Sequence, residues 1–497
     1  MSRESKAAAA APSAAAATTT VEKSLLDQIV DEGRLARDPE ARTRGKDLVK
    51  EFVAQFLDGN MTLSRDSEAM INSRIAQIDH LISLQLNEVL HTPAFQKLEA
   101  SWRGLKYLIS RTETSVNLKI KVFNCTKKDL LRDLQRSAEF DQSAMFKKVY
   151  EEEFGVFGGH PFGALVGDYE FGKSPEDMEL IEKVSQVAAA AHAPFIASAT
   201  STLFNLDSFT ELSAPRDLAK IFETTDYAKW KSFRNSEDSR YVALTLPHIL
   251  MREPWGKETR PVDEFDYEEA VDGTEHGKYL WGNAAWALAA RITDSFARYN
   301  WCATIRGVEG GGKVEGLTVH NFSTDEGDIA MKCPTETTIT DRREKELADL
   351  GFVPLVHCKN TDYAAFFSVQ SAQKPKKYDT DAATANARLA TNMSYILAVS
   401  RFGHYLKAMM RDKIGSFMSR GECEAFLNRW IMGYVIDSSA SAESKAAHPL
   451  AEARVDVVDV PGKPGAYRAV AFLKPHFQLD ELTVSMRLVA DLPAPAA

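Results

Sequence analysis

The sequence predicts a mixed α/β protein, α+β in its segregation, with helices gathered towards the N-terminus and a β-hairpin followed by a lone strand at the C-terminus. Three patterns predict it. Apolar residues recur at helical spacing between residues 25 and 91, short period-2 runs alternate with helical patterns through the middle, and the last stretch reads strand, turn, strand, breaker, strand.

Residues 1–23 begin with an Ala/Thr-rich run at 7–20. Arg3 and Lys6 precede it, but an alanine run without Leu, Ile or Phe makes a poor signal-peptide core, so a disordered leader is expected. Ser24-Leu25-Leu26-Asp27 then fits a capping box, Leu25, Leu26, Ile29 and Val30 form one apolar stripe, and Gly33 sits where a C-cap belongs. A helix of about ten residues is marginal in water, so those four side chains must dock, either on the body of the protein or on a partner. Leu48, Val49, Phe52, Val53 and Phe56 predict a second helix. A longer one over 65–91 carries Ile71, Ile75, Ile78, Ile82, Leu86 and Val89, and both stripes read as core-facing.

Strand-like runs follow at 116–123 and 162–166, then helical patterns at 179–191 and 282–298 and a loop-rich polar stretch. Helical patterns return at 382–410 and 423–435, and the Ser/Ala-rich segment 440–448 reads as a linker. Residues 453–460 and 466–473 flank Pro461-Gly462-Lys463-Pro464-Gly465 and predict a hairpin. Beyond Pro475, residues 481–490 alternate Leu482, Val484, Met486, Leu488 and Ala490 against Glu481, Thr483, Ser485 and Arg487, until Pro493 and Pro495 end the run. That strand reaches roughly 33 Å with one apolar face. It closes a three-stranded sheet at home or adds to a sheet in a neighbour.

The 497 residues suggest about three domains, and 44% hydrophobic residues supply a sizeable core. A net charge of −10 with no long Lys/Arg block argues against a nucleic-acid binder. Cys125, Cys302, Cys333, Cys358 and Cys423 are scattered, odd in number and free of CxxC pairs, which fits a reducing cytoplasm rather than a disulfide framework or a zinc site. No run approaches the eighteen apolar residues of a membrane span; residues 187–199 are interrupted by His192 and Pro194.

Gly307-Val308-Glu309-Gly310-Gly311-Gly312-Lys313-Val314 nearly matches a phosphate-binding loop, but Val314 lacks the magnesium-binding hydroxyl and the sequence beyond it reads as extended, so a glycine turn is expected. Neither a G-x-S-x-G elbow nor an H-E-x-x-H helix is present. His160 and His192 have no acid or thiol nearby in sequence, and the consecutive Glu151, Glu152 and Glu153 diverge on a helix as a solvated face would. No catalytic, cofactor-binding or metal-binding residue is therefore assigned. The run from Trp230 to Tyr241 mixes aromatics and charges as interfaces do, which makes Trp230, Phe233, Arg234 and Arg240 interface candidates, against a surface loop with snorkelling side chains.

This run and its continuation Thr245-Leu246-Pro247-His248, with Phe162-Gly163-Ala164-Leu165-Val166-Gly167-Asp168-Tyr169-Glu170-Phe171, resemble the large subunit of the bacterial type VI secretion contractile sheath. So do Phe95-Gln96-Lys97-Leu98-Glu99-Ala100-Ser101-Trp102-Arg103-Gly104-Leu105, the Pro461 to Gly465 turn, and Lys474-Pro475-His476-Phe477-Gln478-Leu479-Asp480-Glu481-Leu482-Thr483-Val484. The likeness spans residue 24 to the C-terminus. It implies a contractile tail-sheath-like core and a structural, non-enzymatic subunit without cofactor. Such a subunit is cytoplasmic, pairs one-to-one with a small sheath subunit, and polymerises as stacked hexameric rings around an inner tube protein. The sheath stands on an envelope-anchored baseplate and contracts to drive the tube outward.

The resemblance also divides the chain. It implies a leader at 1–23, N-terminal helices at 24–60, a part contacting the small subunit at 61–160, a mixed α/β sheath body at 161–440, and a hairpin with a strand arm at 441–497. Leu482, Val484, Met486 and Leu488 would enter a neighbouring protomer's sheet beside a strand of the small subunit, with the 454–473 hairpin receiving. Leu25, Leu26, Ile29 and Val30 would be offered to an AAA+ disaggregase after contraction. Contraction itself needs no catalytic residue, because a metastable interface set at assembly can relax to a better-packed one. Two other readings stay open: a phage-like tail sheath protein, usually one self-sufficient chain, and a cytoplasmic enzyme with an unrecognised site, which predicts a monomer with a deep pocket.

Overall fold

A computed structural model describes residues 39–57, 67–214, 217–263, 265–324, 326–416, 418–462 and 466–478. The chain divides into two units, 1–81 and 82–497. The first contains helix α1 (Pro39–Leu57) and most of helix α2 (Ser67–Leu90), which runs on into the second. Both helices lie where the 3.6-residue stripes put them. The expectation that those stripes face a core is corrected, however: Leu48, Val53, Ile71, Ile75, Ile78, Ile82 and Val89 are between 44% and 65% exposed. An apolar stripe marks a face that must be covered, but it does not say by what.

In the second unit, helix α3 (Pro93–Ser110) starts with proline at its first position, where a missing N–H costs nothing. The run at 116–123, expected as a strand, is a connection with no strand partner among the described residues, and three of its apolar side chains, Val116, Val122 and Phe123, stand in solvent. A six-stranded sheet lies beyond it. Strands β1 (Leu165–Phe171), β2 (Phe195–Ala199), β3 (Val242–Leu246), β4 (Lys313–Val314), β5 (Val353–His357) and β6 (Ala364–Phe366) take the order β1-β2-β3-β5-β6-β4. The first four in that order are parallel, and β6 runs antiparallel to both β5 and β4. The predicted strand at 162–166 is thus displaced to 165–171.

Helices α4 (Pro175–Ala191), α5 (Ala228–Asn235), α6 (Ala285–Tyr299), α7 (Asp341–Asp349) and α8 (Met393–Asp412) cover the sheet on both faces. Strand alternation divides the two cores. Val242, Leu244 and Leu246 pack against α4, α5 and α7, while Ala243 between them packs against α6 and α8. Burial on both sides is why β2 and β3 carry one polar residue each, Ser198 and Thr245, rather than an alternation of apolar and polar ones. Helix α4 is capped by Ser174, which accepts from the Asp177 amide, and it ends at His192 in the left-handed region with φ of 50°.

His404 on α8 ties back to that end by donating from Nε2 to the Ala191 carbonyl at 2.8 Å, and its ring packs edge-on to Phe154. Burial pushes its pKa down to about 4 and also lowers that of His192, whose ring centroid is 6.1 Å away. At pH 7 both are therefore neutral in the folded chain. Between pH 6.5 and 4 the unfolded chain binds more protons than the folded one at His404, so stability falls as the pH falls. Comparing acid limbs of chemical denaturation in wild type and His404→Gln should show a wild-type loss of roughly 3 kcal/mol across that window that the variant lacks.

A third core gathers the C-terminal part. Trp301 stacks on Phe402 with centroids 4.2 Å apart, and helix α9 (Arg420–Ile431) adds Leu427 and Ile431. Ser419 and Glu422 form a full capping box at its start. Segment 440–448, expected as a linker, contains a short helix at Ala442–Ala447. The predicted hairpin is present as β7 (Leu450–Asp459) and β8 (Tyr467–Pro475), with Val455 opposite Ala471 and Val457 opposite Ala469.

Candidate assembly surfaces

The β7-β8 ribbon has two outer edges, and they are treated differently. In an antiparallel pair, residues alternate between those that bond across and those whose N–H and C=O point away. Val455 points away: its N–H donates to Asn428 Oδ1 at 2.9 Å and its C=O accepts from Asn428 Nδ2 at 2.7 Å. The Val457 N–H donates to Glu424 Oε2 at 3.2 Å. Two side chains of α9 thus close the outer edge of β7. The register then turns the backbone of Tyr467, Ala469, Ala471 and Leu473 to the outer edge of β8, and among the described residues no hydrogen bond reaches those groups. Beyond β8, the Gln478 N–H donates to Tyr395 Oη at 3.0 Å and its Nε2 to the Ala303 carbonyl at 2.8 Å, which moors the chain to the body just ahead of the final segment.

A second surface is helical. Ala100, Gly104 and Leu108 turn one face of α3 onto α6, where Gly104 lies so close to the Trp286 indole that a Cβ would overlap the ring. Gly104→Ala should lower stability by about 1–3 kcal/mol, read by thermal or chemical denaturation. On the opposite face Phe95, Leu98, Trp102 and Ile109 form a stripe, with Leu98 56% and Trp102 66% exposed. Val89 on α2, together with Val122 and Phe123, adds further exposed apolar side chains.

Buried charges hold α3 in place. Arg252 donates from Nη2 to Glu269 Oε1 at 3.0 Å and from Nε to Glu99 Oε1 at 2.8 Å; its Nη1 pairs with the other Glu269 oxygen. His91 reaches Glu269 Oε1 at 3.1 Å, and Arg103 reaches Glu99 at 2.7 Å. Burial pushes the Glu269 carboxyl up, and Arg252 more than reverses this, leaving it below the usual carboxylate range. His248, in the Thr245 to His248 motif, lies between Glu336 at 2.5 Å and Glu170 at 3.1 Å. Burial disfavours its charge, but the two carboxylates push its pKa up to about 10.

The interface reading of the Trp230 run is corrected. Trp230 is 1% and Phe233 2% exposed, and Trp230 stacks on Phe352. Arg234 is interior too, donating to the carbonyls of Ala372 at 2.9 Å and Asp349 at 3.1 Å, and burial lowers its pKa to about 10. Only Arg240 is partly exposed, with Nε on the Glu237 carbonyl. The i, i+3, i+4 spacing of Trp230, Phe233 and Arg234 is that of one inward helix face, which was the available signal. The glycine turn is as expected, with Gly307 and Gly311 at φ of 72° and 87°. Its Lys313 pairs with Glu315 and lies over the Tyr363 ring. Leu25, Leu26, Ile29 and Val30, and likewise Leu482, Val484, Met486 and Leu488, lie outside the described residues.

A strand edge left unpaired among the described residues, and a helix with an exposed apolar stripe, are features that sheets and helices of assembling proteins share. The family model described as the EvpB/VC_A0108 tail sheath N-terminal domain matches residues 72–373, and its companion, the tail sheath gpW/gp25-like domain, matches 382–492. The type VI secretion system sheath protein TssC1 of Pseudomonas aeruginosa PAO1 is 50% identical over 458 residues, which are 91% of this chain and 92% of that protein. The chain belongs to the family of large sheath subunits of the type VI secretion system, and it is a contractile sheath subunit. Two solved structures resemble it more distantly. A chain of the anti-feeding prophage baseplate shares 10% identity, covering 75% of this chain and 84% of its own, with a TM-score of 0.37. A chain of the contracted helical sheath of the anti-feeding prophage shares 11%, covering 62% and 66%, with a TM-score of 0.31.

Proposed function

We propose that this subunit polymerises by strand addition onto the outer edge of β8. Residues 481–490 of a neighbouring protomer and a strand of a small sheath subunit complete the sheet, with Leu482, Val484, Met486 and Leu488 as the arm's buried face. The observation that carries this reading is the asymmetry of the ribbon: Asn428 and Glu424 occupy one edge, and the backbone of Tyr467, Ala469, Ala471 and Leu473 is left to pair. Backbone pairing suits a contractile machine, because ladder bonds keep subunits joined while their bodies rotate.

The small subunit takes the apolar stripe of α3 and its surroundings within 61–160, and the body over 161–440 stacks as hexameric rings around an inner tube. The assembly stands in the cytoplasm on an envelope-anchored baseplate. The helix at 24–33 presents Leu25, Leu26, Ile29 and Val30 to an AAA+ disaggregase, which recycles contracted sheath. The reading is tested by co-expressing the chain with and without the small subunit, and with and without residues 481–497, followed by negative-stain electron microscopy. Tubules that need both support it. Tubules that survive truncation return the strand to its own sheet, and tubules formed without the small subunit favour a self-sufficient, phage-like sheath.

A further inference from the structure

We infer that Gln478 is a positioning residue for the C-terminal arm: it fixes where the arm leaves the body, so that residues 481–490 reach a neighbour from a short tether. The inference rests on strand addition as the mode of assembly. Beyond β8 the chain is held twice. The His476 N–H donates to the Pro449 carbonyl at 3.0 Å, which carries the ribbon ladder one residue past the Leu450–Pro475 pair. Gln478 is held elsewhere. Its backbone N–H donates to Tyr395 Oη at 3.0 Å, in the first turn of α8, and its Nε2 donates at 2.8 Å to the carbonyl of Ala303, which lies between α6 and β4. Neither partner belongs to the ribbon, so the exit of the arm is fixed to the body and not to the hairpin.

The amide is poorly suited to a purely stabilising role. A carbonyl only accepts, so the nitrogen must face Ala303, and this leaves Oε1 enclosed with no partner among the described residues. An enclosed acceptor left unpaired costs about what the bond on the other side of the amide returns. What the pair of bonds supplies is position. Only Leu479 and Asp480 separate Gln478 from Glu481, where the alternating run begins. The chain from Gln478 to Glu481 spans at most about 10 Å, whereas from His476 it spans about 17 Å. Freed at Gln478, the start of the arm ranges over a volume about fivefold larger, and its effective concentration at a neighbour's β8 edge falls by about the same factor.

The test uses the full chain assembling with the small sheath subunit, and a synthetic peptide of residues 479–497 as competitor for the β8 edge. Gln478→Glu keeps the shape of the side chain but sets an acceptor against the Ala303 carbonyl. The peptide should suppress wild-type tubules, counted by electron microscopy. In Gln478→Glu the half-suppressing dose should be about fivefold lower, and the protein concentration needed for tubules about fivefold higher. The thermal midpoint should stay at the wild-type value, whereas a merely structural role would lower the midpoint and leave the dose unchanged. A Gly-Ser-Gly insertion after Asp480 lengthens the tether and alters no contact of the described residues. It should reproduce both shifts, and Gln478→Glu in that background should add only about twofold. An unchanged dose in folded Gln478→Glu, or an insertion without effect, with the peptide active on wild type, overturns the inference and leaves strand addition standing. A peptide that suppresses no tubules overturns strand addition and the inference with it.

Discussion

Ala471→Pro is expected to leave the subunit folded and to deplete its partner-dependent tubules. Val455 and Val457 send their backbone groups to Asn428 and Glu424, so the ladder bonds of the ribbon fall on the residues between them. Ala471, opposite Val455, directs its N–H at the open edge, so proline there removes a donor that the ribbon does not use at home. Val470, opposite Asp456, donates across the ladder, so Val470→Pro should damage the hairpin itself. The pair of variants separates docking from folding by one residue. A lost edge bond is worth about 1 kcal/mol, and the bulk of the ring obstructs an incoming strand further, so tubules counted by electron microscopy should drop roughly tenfold or more. Ala471→Pro should melt close to wild type, while Val470→Pro should melt lower. Normal tubules from Ala471→Pro would mean that the arm pairs elsewhere.

The hairpin was legible because everything that makes it is local: two alternating runs and a turn of prolines and glycines. Helices α4, α6, α8 and α9 were legible for the same reason; α5, in the run read as an interface, and α7, in the stretch read as loop, were not, nor were β2 and β3, whose short sequences do not alternate because both faces are buried. What closes one edge of the ribbon was not. Asn428 meets Val455 across 27 positions, and a lone asparagine on a helix carries no sign of where its amide will reach. The Trp230 run failed in the opposite way. Its composition resembles an interface, but an arginine whose donors meet interior carbonyls can be buried, and composition does not distinguish the two. The stripes on α1 and α2 were found and assigned to the wrong neighbour, since periodicity locates a face without naming its cover.

Arg252→Met should be the most damaging single change in the second unit, because Arg252 neutralises two carboxylates that sequence spacing does not connect, Glu99 and Glu269. Glu269 is 1% exposed at its side chain, and removing its counter-ion leaves a buried charge, for which the cost is about 3–5 kcal/mol. Hydrogen exchange should accelerate across α3, and co-purification of the small subunit should fall with it, since the exposed stripe rides on that helix. Arg252→Lys should recover only part, because a single ammonium cannot replace a fork that holds Glu269 through two nitrogens while a third reaches Glu99. The pH response discriminates further. In wild type Glu269 titrates below its ordinary value, so its contribution is present above about pH 4.5 and is lost as the pH falls. Without Arg252, burial is opposed only by the Trp255 amide and His91, so the carboxyl moves up from its wild-type position and mild acid restores stability by neutralising the stranded charge. Arg252→Met combined with Glu269→Gln should therefore be more stable at pH 7 than Arg252→Met alone, and its denaturation midpoint should lose the acid rescue. A double variant no better than the single would place the cost in lost packing of the arginine stem rather than in the unpaired carboxylate.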